Sequence, residues 1–119
     1  MFKTITLLKR RPGLTMAEFI DYYETRHRVI GEKYLRGSAT RYVRRFLHSF
    51  PNPLTGEVIE PEHDVVMEIW FPDRETFETT MASLAAPEIA AEISEDEERV
   101  FDRAKNRMFT VEEHESDLG

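Results

Sequence analysis

The chain has 119 residues, 40% of them hydrophobic, enough for one domain with a single core and too few for two. Its 16 basic residues against 23 acidic ones give a net charge of -7, which opposes the phosphate attraction behind most nucleic-acid binding and disfavours anionic membranes. With no cysteine, disulfides, thiolate metal sites and cysteine nucleophiles are excluded; with no apolar stretch near the ~20 residues that span a bilayer, a cytoplasmic location is expected.

In chain order, Phe2 to Leu8 is a β-rich run that Arg11-Pro12-Gly13 breaks. Thr15-Met16-Ala17-Glu18 reads as a capping box, in which the Thr15 hydroxyl and the Glu18 carboxylate each satisfy the other's amide, with Leu14 and Phe19 as the hydrophobic staple. From there Phe19, Tyr23, His27, Ile30 and Tyr34 recur in steps of three and four, so they share one inward-facing stripe. Gly37-Ser38 marks a turn. Arg41 to Phe50 then alternates Tyr42, Arg44, Phe46 and His48 against Arg41, Val43, Arg45 and Leu47, the pattern of a second strand.

The prolines and the Thr55-Gly56 tip make residues 51–62 a loop. Asp64 to Phe71 is a third strand, with Val65, Met67, Ile69 and Phe71 on a face made to pack on helices and Val66, Glu68 and Trp70 on the other. Phe77, Met81 and Leu84 predict a helix that Pro87 interrupts, and Ser94 to Glu97 reads as a second capping box that restarts it. Met108 to Glu113 is the last predicted strand, so the domain is expected over residues 1–113, with 114–119 a polar tail.

The order β-α-β-β-α-β predicts an α+β, ferredoxin-like fold with a four-stranded antiparallel sheet. Helices cover only one face of such a sheet. The other face, expected to carry Phe46, Trp70 and Val66, calls for a ligand cavity or symmetric self-association.

Among the candidate residues, His27 stands first, because imidazole is the side chain that titrates near neutrality and suits proton transfer; its bland alternative is a core histidine satisfied by a carbonyl. Glu68, half-buried on its strand, is expected to have a raised pKa and to act as acid or base, unless Arg41, Arg44 or Arg45 pairs with it. Tyr23 and Tyr42 can donate to a ligand oxygen or simply pack, while Phe46 and Trp70 would form walls. Asp96, Glu97 and Glu98 read as a solvated helix start, and neither His48 nor His63 stands at a metal-ligand spacing from His27. No phosphate-cradling loop, nucleotide fingerprint or catalytic serine motif is present, so neither cofactor nor metal is expected.

On these residues the chain resembles the EthD-domain family of the dimeric α+β barrel superfamily over nearly all of its length. The matching stretches are Phe2 to Phe19, the aromatic-rich helix ending in His27, Tyr42-Val43, Asp64 to Phe71, Glu95 to Asp102, and Glu112-Glu113. The resemblance implies a homodimer joined through its sheet faces into a dimeric α/β barrel, with a small apolar cavity for an aromatic, lactone or polyketide-like ligand. His27 and Glu68 would be its catalytic residues, and Tyr23, Tyr42, Phe46 and Trp70 its ligand-binding ones. Relatives in that superfamily include cofactor-independent monooxygenases, muconolactone isomerases, and polyketide cyclases and decarboxylases. Three readings therefore stand side by side: cofactor-free acid/base catalysis of the isomerase, cyclase or decarboxylase type, cofactor-free oxygenation, and a non-catalytic accessory module of an oxidative degradation pathway.

Overall fold

In a computed structural model, which describes residues 1–119, the alternating segments become four strands: β1 (Phe2–Leu8), β2 (Arg41–Phe46), β3 (Val65–Phe71) and β4 (Arg107–Thr110). The periodic segments become helices α1 (Met16–Tyr22), α2 (Arg28–Leu35), α3 (Arg74–Leu84) and α4 (Pro87–Val100), with a π-helical turn at Tyr23–His27 and a short 3-10 turn at Arg103–Lys105. The strands lie in the order β2-β3-β1-β4, each antiparallel to its neighbours, which is the ferredoxin-like plan.

Register decides what meets what. Phe46 stands opposite Val65, Tyr42 opposite Ile69, and Phe2 opposite Phe71, so these side chains share the face under the helices. There Leu8, Phe19, Tyr23, Val65, Val100 and Phe101 form the buried core, and Phe77 of α3 stacks near Phe2 and Phe71 with ring centroids 4.8 and 5.5 Å away. Phe46 belongs to this covered side, edge-on to Phe19 and Tyr23, and not to the open face where the sequence pattern put it. The open face carries Lys3, Trp70 and Arg41 in one row, Ile5, Glu68 and Val43 in the next, and Leu7, Val66 and Arg45 in the third.

The first helix begins as its capping box predicts. The Glu18 amide donates to the Thr15 hydroxyl at 3.1 Å, and the Thr15 amide donates to the Glu18 carboxylate at 3.0 Å. Seven residues later the turn widens: the Arg28 amide donates five residues back to the Tyr23 carbonyl. At 3.6 residues per turn, each step of four overshoots a full turn, and the wider turn takes back part of that drift and returns His27 to the line of Phe19. The Glu24 carbonyl in this turn takes the Arg28 guanidinium instead, at 2.8 Å.

The second helical region departs from expectation. The helical run does break before Pro87, with α3 ending at Leu84, but Pro87 itself opens α4, because the first turn of a helix needs no donor from its opening residue. Ser94 and Glu97 consequently lie in mid-helix, where the upstream amides are already bonded and a capping box has nothing to cap. β2 ends at Phe46, short of Phe50, because its partner β3 begins at Val65. β4 likewise covers only Arg107–Thr110, paired with Thr4 to Leu7.

Buried Asp64 fixes the start of β3: its carboxylate accepts from the Arg10 amide at 2.9 Å and lies 3.6 Å from the Lys9 ammonium. No helix is long and apolar enough to cross a membrane. Since the Thr15 cap supplies one orphan amide of α1 with a partner, Thr15→Ala is expected to cost about 1 kcal/mol in denaturant unfolding, and Thr15→Asn a few tenths at most.

Candidate functional site

The widened turn in the first helical region delivers His27 onto α4. Its Nδ1 lies 2.8 Å from Oδ2 of Asp96, and the Tyr22 hydroxyl donates to Oδ1 of the same carboxylate at 2.6 Å. Asp96 is only 4% exposed, so both bonds are made in a region from which water is largely excluded. The imidazole is held edge-on between Tyr23 and Phe101, with ring centroids 5.1 and 5.0 Å away. An ionised carboxylate at Nδ1 fixes the proton on that nitrogen and leaves Nε2 as the lone pair available to another molecule. Nε2 has no partner within the chain, yet no sealed side-chain nitrogen or oxygen lacks one, so Nε2 opens to the surface.

Neighbouring groups tune this corner. Burial pushes the Glu97 carboxyl above the usual carboxylate range, against the opposing pull of His27 and Arg103. Burial, together with the Asp96 carboxylate that its hydroxyl donates to, also raises the Tyr22 phenol.

One turn away on the same side of the sheet, the hydroxyls of Tyr23 and Tyr42 lie 3.1 Å apart. Tyr23 is raised well above the usual phenol range, first by burial and then by Tyr42, so it remains a neutral donor. Arg44 grips the Glu24 carboxylate with two bonds of 2.7 and 3.0 Å and lies over the Tyr42 ring at 4.9 Å. Gly31 makes room for that ring: a Cβ there would sit 3.0 Å from Tyr42 Cε2. An open groove of about 250 Å³ runs past Tyr42 between the end of α2 and the start of β2, floored by Leu35, Gly37 and Thr40.

Glu68 and Trp70 are elsewhere. Both project from the open face, on the opposite side of the sheet from His27, Tyr23, Tyr42 and Phe46, so the expected cavity uniting His27 with Glu68 and Trp70 does not form in this chain. The cause is strand parity: position 68 pairs with Val43, whereas the helix-facing set of β2 is Tyr42, Arg44 and Phe46. Glu68 is held by Arg45 at 3.0 Å and by the Trp70 indole N–H at 3.3 Å. Burial pushes its carboxyl up, but Arg45, Trp70 and Lys3 together outweigh that, and the net shift is downward, contrary to the raised value expected from the strand pattern. Lys3 and Arg41 flank the Trp70 ring at 3.8 and 4.8 Å.

The residue missed by sequence reasoning is Asp96. Its place beside Glu97 and Glu98 suggests a solvated helix start, yet it falls on the stripe of Ile89, Ile93 and Val100, and that spacing is the available signal.

Residues 11–104 match the model of the EthD domain. No curated protein matches the chain. Among solved structures, an ethyl tert-butyl ether D (EthD) family protein from Bacillus halodurans is 17% identical, with 96% of this chain and 100% of that one covered and a TM-score of 0.61. A dimeric ferredoxin-like protein from an uncultured marine organism is 20% identical over 92% of this chain and 90% of that one, with a TM-score of 0.55. An antibiotic biosynthesis monooxygenase is 11% identical over 97% and 100%, with a TM-score of 0.53. At these identities the likeness is one of fold.

Asp96 and nearby Glu98 should differ in what truncation costs. Asp96→Ala strands the His27 and Tyr22 donors and is expected to cost about 2 kcal/mol or more in denaturant unfolding, while Glu98→Ala, at an exposed position, should stay within about 0.5 kcal/mol of the parent.

Proposed function

The chain belongs to the EthD-domain family, and on that premise we propose that it is a homodimeric protein acting on a small, largely apolar molecule of aromatic, lactone or polyketide type, by proton transfer at His27. The observation that carries this reading is the 2.8 Å bond between His27 Nδ1 and the buried Asp96 carboxylate. An imidazole oriented in this way presents Nε2 as a base, and once protonated it is stabilised by the carboxylate behind it. A carbon acid or enol next to a carbonyl is the substrate class that such a group serves, since removing its proton needs a positioned base and the carbonyl takes up the charge without a cofactor. Tyr22 holds the second oxygen of Asp96 and is a positioning residue in this scheme. Glu68, on the far side of the sheet and already bound by Arg45, is assigned no part in it.

The homodimer reading rests on the open face. Apolar Ile5, Leu7, Val43, Val66 and Trp70 line one side of a sheet that no helix covers, and a second copy packed on it buries that surface symmetrically. The dimeric ferredoxin-like neighbour supports the same reading.

A second reading is favoured by one observation: His27 lines none of the surface grooves of about 250 to 540 Å³. A histidine set apart from these grooves suits a non-catalytic accessory module of an oxidative pathway, in which the His27–Asp96 pair only fixes α4 to the first helical region. Oxygenation without a cofactor would begin with the same deprotonation, and it is distinguished by oxygen uptake.

Nitrobenzisoxazole, whose ring opening requires only abstraction of one proton from carbon, separates the two readings. Acid/base action predicts turnover that His27→Ala lowers on the order of a hundredfold, with Asp96→Asn changing the pH profile more than binding. Equal rates in the parent and His27→Ala favour the accessory module. For the dimer, Trp70→Asp is expected to yield monomers in sedimentation, since it removes the largest apolar side chain of the open face, whose burial between two copies drives association; a parent chain that is monomeric at micromolar concentration would overturn it.

A further inference from the structure

Between β2 and β3 the chain leaves the two layers and makes an arm, residues 47–63, whose shape is held by its own hydrogen bonds. Asn52 Oδ1 accepts from the amides of Leu54 at 2.8 Å and Thr55 at 3.2 Å, and the Asn52 amide donates to the Glu57 carbonyl at 2.9 Å. Gly56, at a φ of +71°, closes the tip by donating to the Asn52 carbonyl at 2.8 Å. The Ser49 hydroxyl bonds to the Ile59 carbonyl, and Arg10 ties Glu60 to the body of the fold at 2.7 Å.

An arm organised in this way nonetheless keeps its apolar side chains in water. Phe50 is 89% exposed, Leu54 94%, Val58 63% and Ile59 61%. Single exposed apolar residues are ordinary, but four on one short segment are the mark of a contact surface. The radius of gyration is 16.0 Å, where a compact chain of this length would have about 13.5 Å, as expected when the arm projects from the body.

Charge indicates what the arm meets. It carries Glu57, Glu60 and Glu62 and no lysine or arginine. Although the chain is acidic as a whole, its open sheet face is cationic: Lys3, Arg41, Arg45 and Arg107 outnumber the two carboxylates that meet them, Glu68 on Arg45 at 3.0 Å and Glu113 on Lys3 at 2.9 Å. The acidic, apolar arm is therefore complementary to the apolar, cation-fringed face of the same sequence.

We propose that the arm docks on a second copy of this chain, with Phe50 and Leu54 closing over the rim of the partner's open sheet face and the arm's carboxylates meeting its cations. Twofold symmetry makes each copy give one arm and receive one. The inference rests on the homodimer reading above and goes beyond it, since two sheets can pack face to face without any arm.

Sedimentation equilibrium over a range of protein concentrations tests it, with the parent chain, the double variant Phe50→Ser/Leu54→Ser, and the charge variant Glu57→Lys/Glu62→Lys. Both apolar positions are exposed within one copy, so the first variant leaves the core untouched, and circular dichroism verifies that. The expected result is a dimer dissociation constant raised about a hundredfold by the apolar variant and about tenfold by the charge variant, the latter difference shrinking in high salt. If the parent dimerises and both variants match it, the arm has a different partner and the inference is overturned while the dimer stands. If the parent is itself monomeric throughout, the dimer reading fails, and the arm proposal fails with it.

Discussion

Side chains along a strand alternate between faces, and in a sheet whose helices all lie on one side that alternation sorts every group into a dry interior or an open surface. Here it separates two kinds of chemistry. On the covered side, Tyr23, Tyr42 and Phe46 pack with the helices, and the His27–Asp96 pair is bonded where water is scarce. On the open side, Glu68 and Trp70 sit among cations, and the strongest groups are already paired. The location of any proton-transfer site and the location of a docking surface both follow from this one division.

The first helical region shows how a local departure serves the long-range contact. Steps of four residues overshoot a full α-helical turn, and the π-helical turn at Tyr23–His27 corrects the aim of the last member of the stripe. The correction has a cost in backbone bonding, and Arg28 offsets it locally by donating to the Glu24 carbonyl. The outcome is an imidazole fixed from three directions, by Asp96, Tyr23 and Phe101, with one nitrogen facing outward. Fixing a single tautomer in one orientation is what a general base requires, and it is also what a rigid joint between two helices requires. The two readings of His27 differ in what approaches Nε2, not in how the ring is held.

The arm and the open face belong to the same question of closure. A slab 22 Å thick is one sheet and one layer of helices, and such a structure leaves apolar surface on the uncovered side. Elsewhere the chain manages its edges and loops with charge, as at Asp64, where Lys9 and Arg10 converge on a buried carboxylate. Phe50, Leu54, Val58 and Ile59 receive no such treatment within one copy, and the cations around Trp70 are disposed on the face rather than beyond it.

The sequence by itself determined the local features: β1, the Thr15–Glu18 cap, the helix-facing set of β3 and the β-α-β-β-α-β order, because each depends on neighbours within a few residues. It also identified His27 as an inward histidine, since the four-residue steps were legible without knowing what lay opposite. It misplaced what depends on register between distant segments. Phe46 shares its parity with Tyr42, but nothing local says which face of β2 the helices take, so the pattern alone puts it on the open face. The break at Pro87 is real, but the Ser94–Glu97 pattern misplaces the restart, which lies at Pro87 itself. Asp96 looked like a solvent acid beside Glu97 and Glu98. Only the tertiary structure brings it to His27, 69 residues away, since a buried carboxylate is tolerable solely where donors from another segment meet it.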